Sequence, residues 1–254
     1  MVGAAEAYMD GYWTSPDLVS VIRFFVSNIS ELKTMDNERS VPNKIALSLL
    51  ERITRNSVSK ARKNISAHYD LGNDFFELFL DPTMMYSSAL FAEDSYTLEQ
   101  ASVAKLDRLC QILQLKPTDT LVEIGTGWGS MAMHAVENYG CSVTTTTLSK
   151  RQMEYTKKRV QEAGLADKIT VLLKDYRELE GKFDKLVSVE MIEAVGHQYF
   201  ADYFAKCSDL LKPDGLMALQ AITISDQRYD QARKSIDFIQ RYICLLYTSD
   251  AADE

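Results

Sequence analysis

The apolar positions of this chain change period several times, and each change marks a predicted element. Leu18, Val21, Ile22 and Phe25 recur at helical spacing behind Ser15-Pro16-Asp17, which predicts a helix capped by Ser15 with Pro16 at its first position. That apolar face is expected in core packing or as one wall of an apolar groove. Asn37 to Pro42 is polar and breaks the pattern. Ile65 to Phe91 is unusually aromatic, with Phe75, Phe76, Leu78, Phe79 and Leu80 leaving little polar face between Gly72-Asn73 and Pro82. It is expected as buried core, with the loop Tyr86-Ser87-Ser88 placed to close over a ligand. Thr97 to Lys116 predicts a helix opened by a Thr97–Gln100 capping box, with Leu106, Leu109, Cys110 and Leu113 on one face and Pro117 beyond it.

From there the period alternates between two and 3.6. Strands are predicted at Thr120–Ile124, Ser142–Thr146, Lys168–Leu173, Phe183–Glu190 and Leu216–Ile224. Helices follow Gly129 and span Ser149–Ala163 and His197–Leu211, and a Lys-Pro-Asp-Gly turn precedes the last strand. This order predicts a parallel, doubly wound α/β sheet, whose ligands bind outside the carboxyl ends of the strands.

The first strand runs into Glu123, Gly125, Thr126, Gly127, Trp128 and Gly129, and then into the apolar helix positions Met131, Ala132, Met133 and Ala135. Glycines there permit positive φ and let a ligand approach the backbone, beside the free N–H groups of a helix start. The spacing G-x-G-x-G differs from the dinucleotide fingerprint. An acid two residues before the first glycine suits the charged amino acid part of S-adenosylmethionine better than a pyrophosphate. The alternative is a tight strand-to-helix turn with no ligand.

The same rim gathers Thr146 to Gln152, Asp175-Tyr176 and Glu190 to Glu193. Gln152, or the hydroxyls of Thr147 and Ser149, suit a ribose; Asp175 suits an exocyclic amine, and Tyr176 suits stacking on adenine. Helix capping by Ser149 and a surface Asp175 are the plain alternatives. Glu193 lies among Met191, Ile192, Ala194 and Val195, where a carboxylate needs a partner or a task. His68, His134 and His197 are expected to be structural, with His134 facing away from the rim.

Composition narrows the partners. The 254 residues are 46% hydrophobic, enough for one large domain or one domain with a cap. The net charge is -8, with Asp250, Asp253 and Glu254 near the end, so nucleic acid is not an expected partner. Cys110, Cys141, Cys207 and Cys244 are scattered without metal-ligand spacing, which reads as reduced thiols and no metal site. The opening residues have no targeting character, and the longest apolar runs fall short of the about 20 residues that span a bilayer. Membrane contact is therefore expected to be peripheral. Arg52, Arg55, Lys60, Arg62 and Lys63 form a basic run without an acid. It is a solvated face by default, or a site for anionic headgroups at about 1 kcal/mol per residue.

Taken together, AYMDGYW, HYDLGNDFFELFLDP, MYSSALF, LVEIGTGWGS, TLSKRQ, KDYREL, VSVEMIEAVG and LLKPDG resemble the cyclopropane-fatty-acyl-phospholipid and mycolic acid cyclopropane synthases, from about Tyr8 to Ile243. The resemblance implies a Rossmann-like class I methyltransferase sheet with an N-terminal helical cap. Regions follow at 1–66 (partial helical), 67–116 (aromatic cap and connecting helix), 117–243 (cofactor-binding) and 244–254 (a non-native tail). It implies S-adenosylmethionine contacts from Tyr86, Ser87, Leu121 to Gly129, Thr147, Leu148, Ser149, Gln152, Asp175 and Tyr176. It implies methyl transfer to an acyl-chain double bond by a cytoplasmic enzyme peripheral to the inner membrane face, its oligomeric state open. A bicarbonate base would be held by Glu193, by the Ile222 backbone, and by positions that in the family are cysteine and histidine and here are Ser88 and Gln220. Serine and glutamine still hydrogen-bond an anion, but glutamine takes no proton, which points to a methylene-branched product as an alternative to the ring. CLLYTSDAADE resembles nothing in the family, so a fragment lacking its last strands is expected. A methyltransferase of a soluble small molecule and a silent module binding S-adenosylmethionine or lipid are the rival functions.

Overall fold

The computed structural model describes residues 2–29, 31, 72–227, 229 and 251–252. The expectations for Asn37–Pro42, the basic run Arg52–Lys63, His68, the start of the aromatic segment, Cys244 and most of the tail lie outside the described residues. Two compact units divide the chain, Met1–Ser57 and Val58–Glu254.

In the first unit the small-residue run is a helix, α1 (Val2–Met9), ended by a turn in which Gly11 takes φ +77°. Helix α2 (Leu18–Ser27) is capped by Asp17 rather than Ser15: one Asp17 oxygen accepts the Ser20 N–H at 3.0 Å and the other its hydroxyl at 2.5 Å. A carboxylate accepts more strongly than a hydroxyl at a helix start and complements its dipole, so the cap falls two residues later than expected. The apolar face expected for core packing is not buried; no side chain of α2 is.

The second unit is built on a parallel sheet, β1 (Thr120–Ile124), β2 (Ser142–Thr147), β3 (Ile169–Leu173), β4 (Phe183–Val189) and β5 (Leu211–Gln220), in the order β3-β2-β1-β4-β5. A short helix, α3 (Asn73–Glu77), and α4 (Leu98–Ile112) precede it; α5 (Ser130–Tyr139), α6 (Lys150–Glu162) and α7 (Phe200–Leu210) connect its strands. Alternate residues of the strands serve opposite faces: Leu121 and Val187 join Leu106, Leu109, Met131 and Val160 on one side, while Val122, Ile124 and Leu186 join Tyr203, Cys207 and Leu210 on the other. Two helical layers thus cover a sheet buried on both faces, as parallel pairing requires.

Most boundaries follow local chemistry. The Thr97–Gln100 capping box forms as expected, but α4 stops at Ile112 because the chain reverses at Gln114, which takes φ +51°. The helix expected from His197 begins as a 3₁₀ turn, His197–Tyr199, before α7. β4 stops at Val189, and Glu190 takes φ +46°. The expected Lys-Pro-Asp-Gly turn is a bulge inside β5: pairing jumps from Phe183–Leu211 to Lys185–Leu216, and Lys212 reaches back to Asp184 at 2.7 Å. Beyond β5, β6 (Thr223–Ile224) pairs in parallel with β7 (Ala251–Ala252).

Gly129 is the tightest point of the sheet's first crossover. It caps α5 at φ +91°, and a Cβ there would lie 2.5 Å from Cγ2 of buried Thr156 on α6. Gly129→Ala is therefore expected to destabilise the protein by about 2–4 kcal/mol, the sum of a strained φ and an overpacked contact. Urea unfolding of the single variant and of Gly129→Ala with Thr156→Ala checks it: the second change should recover part of the loss, and an additive penalty would refute the contact.

Candidate active site

A cavity of about 440 Å³ opens at the carboxyl ends of β1, β2 and β4, beside the point where strand order reverses. Its size falls within the ~300–1,000 Å³ of small-molecule sites. The turn after β1 supplies Gly125, Thr126, Gly127 and Trp128 to the wall. The N–H groups of Gly125 and Thr126 both donate to Thr146 O, at 3.1 and 3.0 Å, and tie the turn to β2. Gly129 lies behind this wall as the helix cap.

Glu123 is 2% exposed, and its Oε2 has no partner among the protein groups. Burial pushes its carboxyl up to about 8, against a smaller lowering by the Thr145 hydroxyl. Such a group in a cavity wall is suited to a cationic ligand.

After β2, Thr147, Leu148 and Gln152 line the cavity. Ser149 does what a cap does: its hydroxyl accepts the Gln152 N–H at 3.2 Å. Thr147 Oγ1 accepts the Ser149 N–H and donates to Gln152 Oε1 at 2.9 Å, which leaves buried Gln152 Nε2 without a protein acceptor. The structure brings Tyr176 onto the wall but not Asp175. Both Asp175 oxygens accept from the Arg177 guanidinium at 2.8 Å, and Asp175 opens a short capping box with Glu178.

Tyr86 and Ser87 line the cavity from the loop before α4, with Tyr86 edge-on to buried Phe76 and Trp128. Trp128 is fixed by its own Nε1, which donates to Asn73 Oδ1 at 2.9 Å. Ser87 is held by a residue that the sequence did not single out. Lys105 is 5% exposed, and its Nζ donates to Ser87 Oγ at 2.5 Å and Ser87 O at 3.3 Å. Burial lowers its ammonium to about 8. The signal was a lysine in the i, i+4 row Ala101, Lys105, Leu109, Leu113, a row otherwise apolar.

On the opposite wall Glu193 is 3% exposed, and its Oε1 accepts the Ile222 N–H at 2.6 Å while Oε2 has no protein partner. Burial is the main cause that raises its carboxyl above the ordinary range. Ser88 and Gln220 do not line the cavity themselves; both donate to Glu190, which does. His134 is off the wall, its Nε2 3.6 Å from Asp107. Cys110, Cys141 and Cys207 are buried thiols pushed up to about 12, 11 and 11. Among the described residues no cluster of His, Cys, Asp and Glu is arranged for a metal.

Comparison with known proteins gives these features a context. The family described as mycolic acid cyclopropane synthetase matches residues 56–244. A tuberculostearic acid methyltransferase of Mycobacterium tuberculosis is 37% identical over 258 aligned residues, which cover 96% of this chain and 58% of that protein. The cyclopropane-fatty-acyl-phospholipid synthase of Escherichia coli is 39% identical over 223, covering 87% and 56%. Among solved structures, a cyclopropane synthase from Mycobacterium tuberculosis superposes with a TM-score of 0.67 at 32% identity, over 75% of this chain and 70% of that one. A mycolic acid cyclopropane synthase complexed with SAH and CTAB gives 0.62 at 40% identity, over 64% and 57%. The chain spans between half and three fifths of the length of these curated relatives.

The buried Glu123 makes stability depend on pH. Its carboxyl titrates near 4.5 when unfolded and near about 8 when folded, so folding takes up a proton between those values. Its contribution is full below about pH 4.5 and is lost as pH rises through about 8. In ligand-free urea melts the difference between wild type and Glu123→Gln is expected to move against the wild type across that window. A constant difference from pH 4.5 to 8 would show that Glu123 does not titrate as assigned.

Proposed function

The chain belongs to the mycolic acid cyclopropane synthetase family, and from that premise we propose that the protein transfers a methyl group from S-adenosylmethionine to the double bond of an unsaturated phospholipid acyl chain. The observation that carries this reading is the cavity at the strand switch point, with two buried carboxylates, Glu123 on one wall and Glu193 on the other, each with its Oε2 lacking a protein partner. Both relatives named above from Mycobacterium tuberculosis and Escherichia coli modify acyl chains by their printed names.

The residues fit the cofactor. Glu123 supplies a counter-charge for its ammonium, Gln152 Nε2 and the Thr147 hydroxyl suit its ribose, and Tyr176 offers a ring face for adenine. Ser87, held by Lys105, and Tyr86 close the side toward the acceptor. S-adenosylmethionine supplies an electrophilic methyl group on a sulfonium. The alkene's π electrons would bond to that carbon as the S–C bond breaks with its pair left on sulfur, and the cation left on the acyl chain would be stabilised by the ring faces of Tyr86 and Trp128 and the carboxylate of Glu193. Proton loss from the new methyl group closes a cyclopropane; proton loss from a chain carbon beside the cation leaves a methyl-branched alkene, and a methylene branch follows when a hydride first shifts to the cation and the methyl group then loses the proton.

Among the described residues no helix is long and apolar enough to cross a membrane. The basic run Arg52–Lys63 supports attachment to the anionic cytoplasmic leaflet, weakened by salt.

The test is to express the full-length protein in a bacterium without its own cyclopropane synthase and to analyse fatty acids by mass spectrometry. Acyl chains heavier by one methylene are expected, and hydrogenation tells a ring from a methylene branch. Glu123→Gln should raise the Kd for S-adenosylmethionine by about tenfold or more, since a lost charged hydrogen bond costs roughly 1.5–3 kcal/mol. Unaltered acyl chains with intact cofactor binding would point instead to a soluble acceptor or a silent binding module.

A further inference from the structure

Ser88 and Gln220, the two positions that depart from the family's cysteine and histidine, converge on one acceptor. Glu190 Oε1 takes the Ser88 N–H at 3.0 Å, the Ser88 hydroxyl at 3.1 Å and Gln220 Nε2 at 2.9 Å. Gln220 Nε2 also approaches Ser88 Oγ at 3.1 Å and Ser88 O at 3.3 Å, and the Glu190 N–H donates to Gln220 O at 2.8 Å. The loop before α4, the end of β4 and the end of β5 thus meet at a single carboxylate oxygen. Glu190 is itself on the cavity wall, as are Glu193 and Ile222.

Two features set this arrangement apart from an ordinary surface contact. Glu190 takes φ +46°, a left-handed backbone that few residues other than glycine, asparagine and aspartate adopt, and such strain persists where the surroundings impose it. The donors expected to hold a bicarbonate are also already occupied. The Ser88 amide and hydroxyl and the Gln220 amide all point to Glu190, and an anion placed beside them would face the carboxylates of both Glu190 and Glu193. The residues present do not fit a second anion.

We propose that Glu190 is the general base of this site, a carboxylate built into the chain where the resemblance calls for a bound bicarbonate. This rests on the proposed methyl transfer to an acyl chain. The alkene's π pair forms the bond to the methyl carbon, and the pair of the broken S–C bond stays on sulfur. A cation remains on the other former alkene carbon. Glu190 Oε2, which takes none of the hydrogen bonds above, removes one proton. If that proton comes from the new methyl group, the C–H pair closes the three-membered ring; if it comes from a chain carbon beside the cation, the pair becomes a new double bond. The proton then passes from the carboxyl to solvent, and no oxidant or reductant takes part. Ser88 and Gln220 are positioning residues that hold Oε1 and leave Oε2 for the proton.

The experiment measures S-adenosylhomocysteine release by the full-length protein on vesicles of unsaturated phosphatidylglycerol in carbon dioxide-depleted buffer, with and without added bicarbonate. The wild type is expected to turn over equally in both. Glu190→Gln keeps shape and removes the base; its turnover should fall about 10²–10⁴-fold with S-adenosylmethionine binding unchanged. Glu190→Gly should lose turnover likewise and regain part of it with added formate or bicarbonate, which fit the space the side chain leaves. A wild type that requires bicarbonate, or a Glu190→Gln variant as active as wild type, would overturn the base and leave methyl transfer standing. A wild type that binds S-adenosylmethionine but alters no lipid would overturn both.

Discussion

The close approach of the first crossover to its neighbour is the constraint on which the site depends. α5 and α6 can lie side by side on β1 and β2 only because Gly129 has no Cβ to set against Thr156. The same turn gives two N–H groups to Thr146 O, so its course is fixed from the sheet and not only from the helix that follows. With backbone bent away from the strand ends, space remains above β1. The side chain at the end of that strand, Glu123, is then enclosed without being filled against.

Around that space the charges are unbalanced by design. Three carboxylates, Glu123, Glu190 and Glu193, line it against one exposed lysine, Lys174, while Lys105, the buried cation nearby, is committed to Ser87 behind the wall. An enclosure of this sign disfavours anions and favours a sulfonium, an ammonium and a carbocation, each of which the proposed reaction brings or creates. Burial holds Glu123 and Glu193 toward the neutral form while the cavity is without a cation, which in the case of Glu193 lessens its repulsion with Glu190.

What was legible in the sequence was what local chemistry decides. The strand-glycine-helix junction, the Thr97–Gln100 box and the alternation of strands and helices are set by spacing within a few residues, and the structure has each of them. Asp17 took the cap from Ser15 because two acceptable caps two residues apart differ only in acceptor strength. Asp175 lies off the cavity wall, its two oxygens engaged by Arg177 two residues on, a pairing that the strand-to-helix pattern does not signal. Lys105 and Glu190 were harder. Lys105 acts through Ser87, and Glu190 through Ser88 and Gln220; the separations of 102 residues to Ser88 and 30 to Gln220 carry no periodic trace. Their only marks were a charge in an apolar helical row and an acid just beyond an apolar strand.

The loop from Thr83 to Ser88 has a mechanical character that its position ahead of the sheet does not suggest. Thr83 O accepts from Ser130 Oγ and from Arg159, Ser87 from Lys105, and Ser88 is bonded to Glu190 and Gln220. Three anchors within six residues make it a fixed jamb and not a swinging door. The acyl chain of the proposed reaction would have to pass this jamb and could not push it aside. In the proposed reaction this loop would serve as a fixed guide for the acceptor and not as the part that opens and closes.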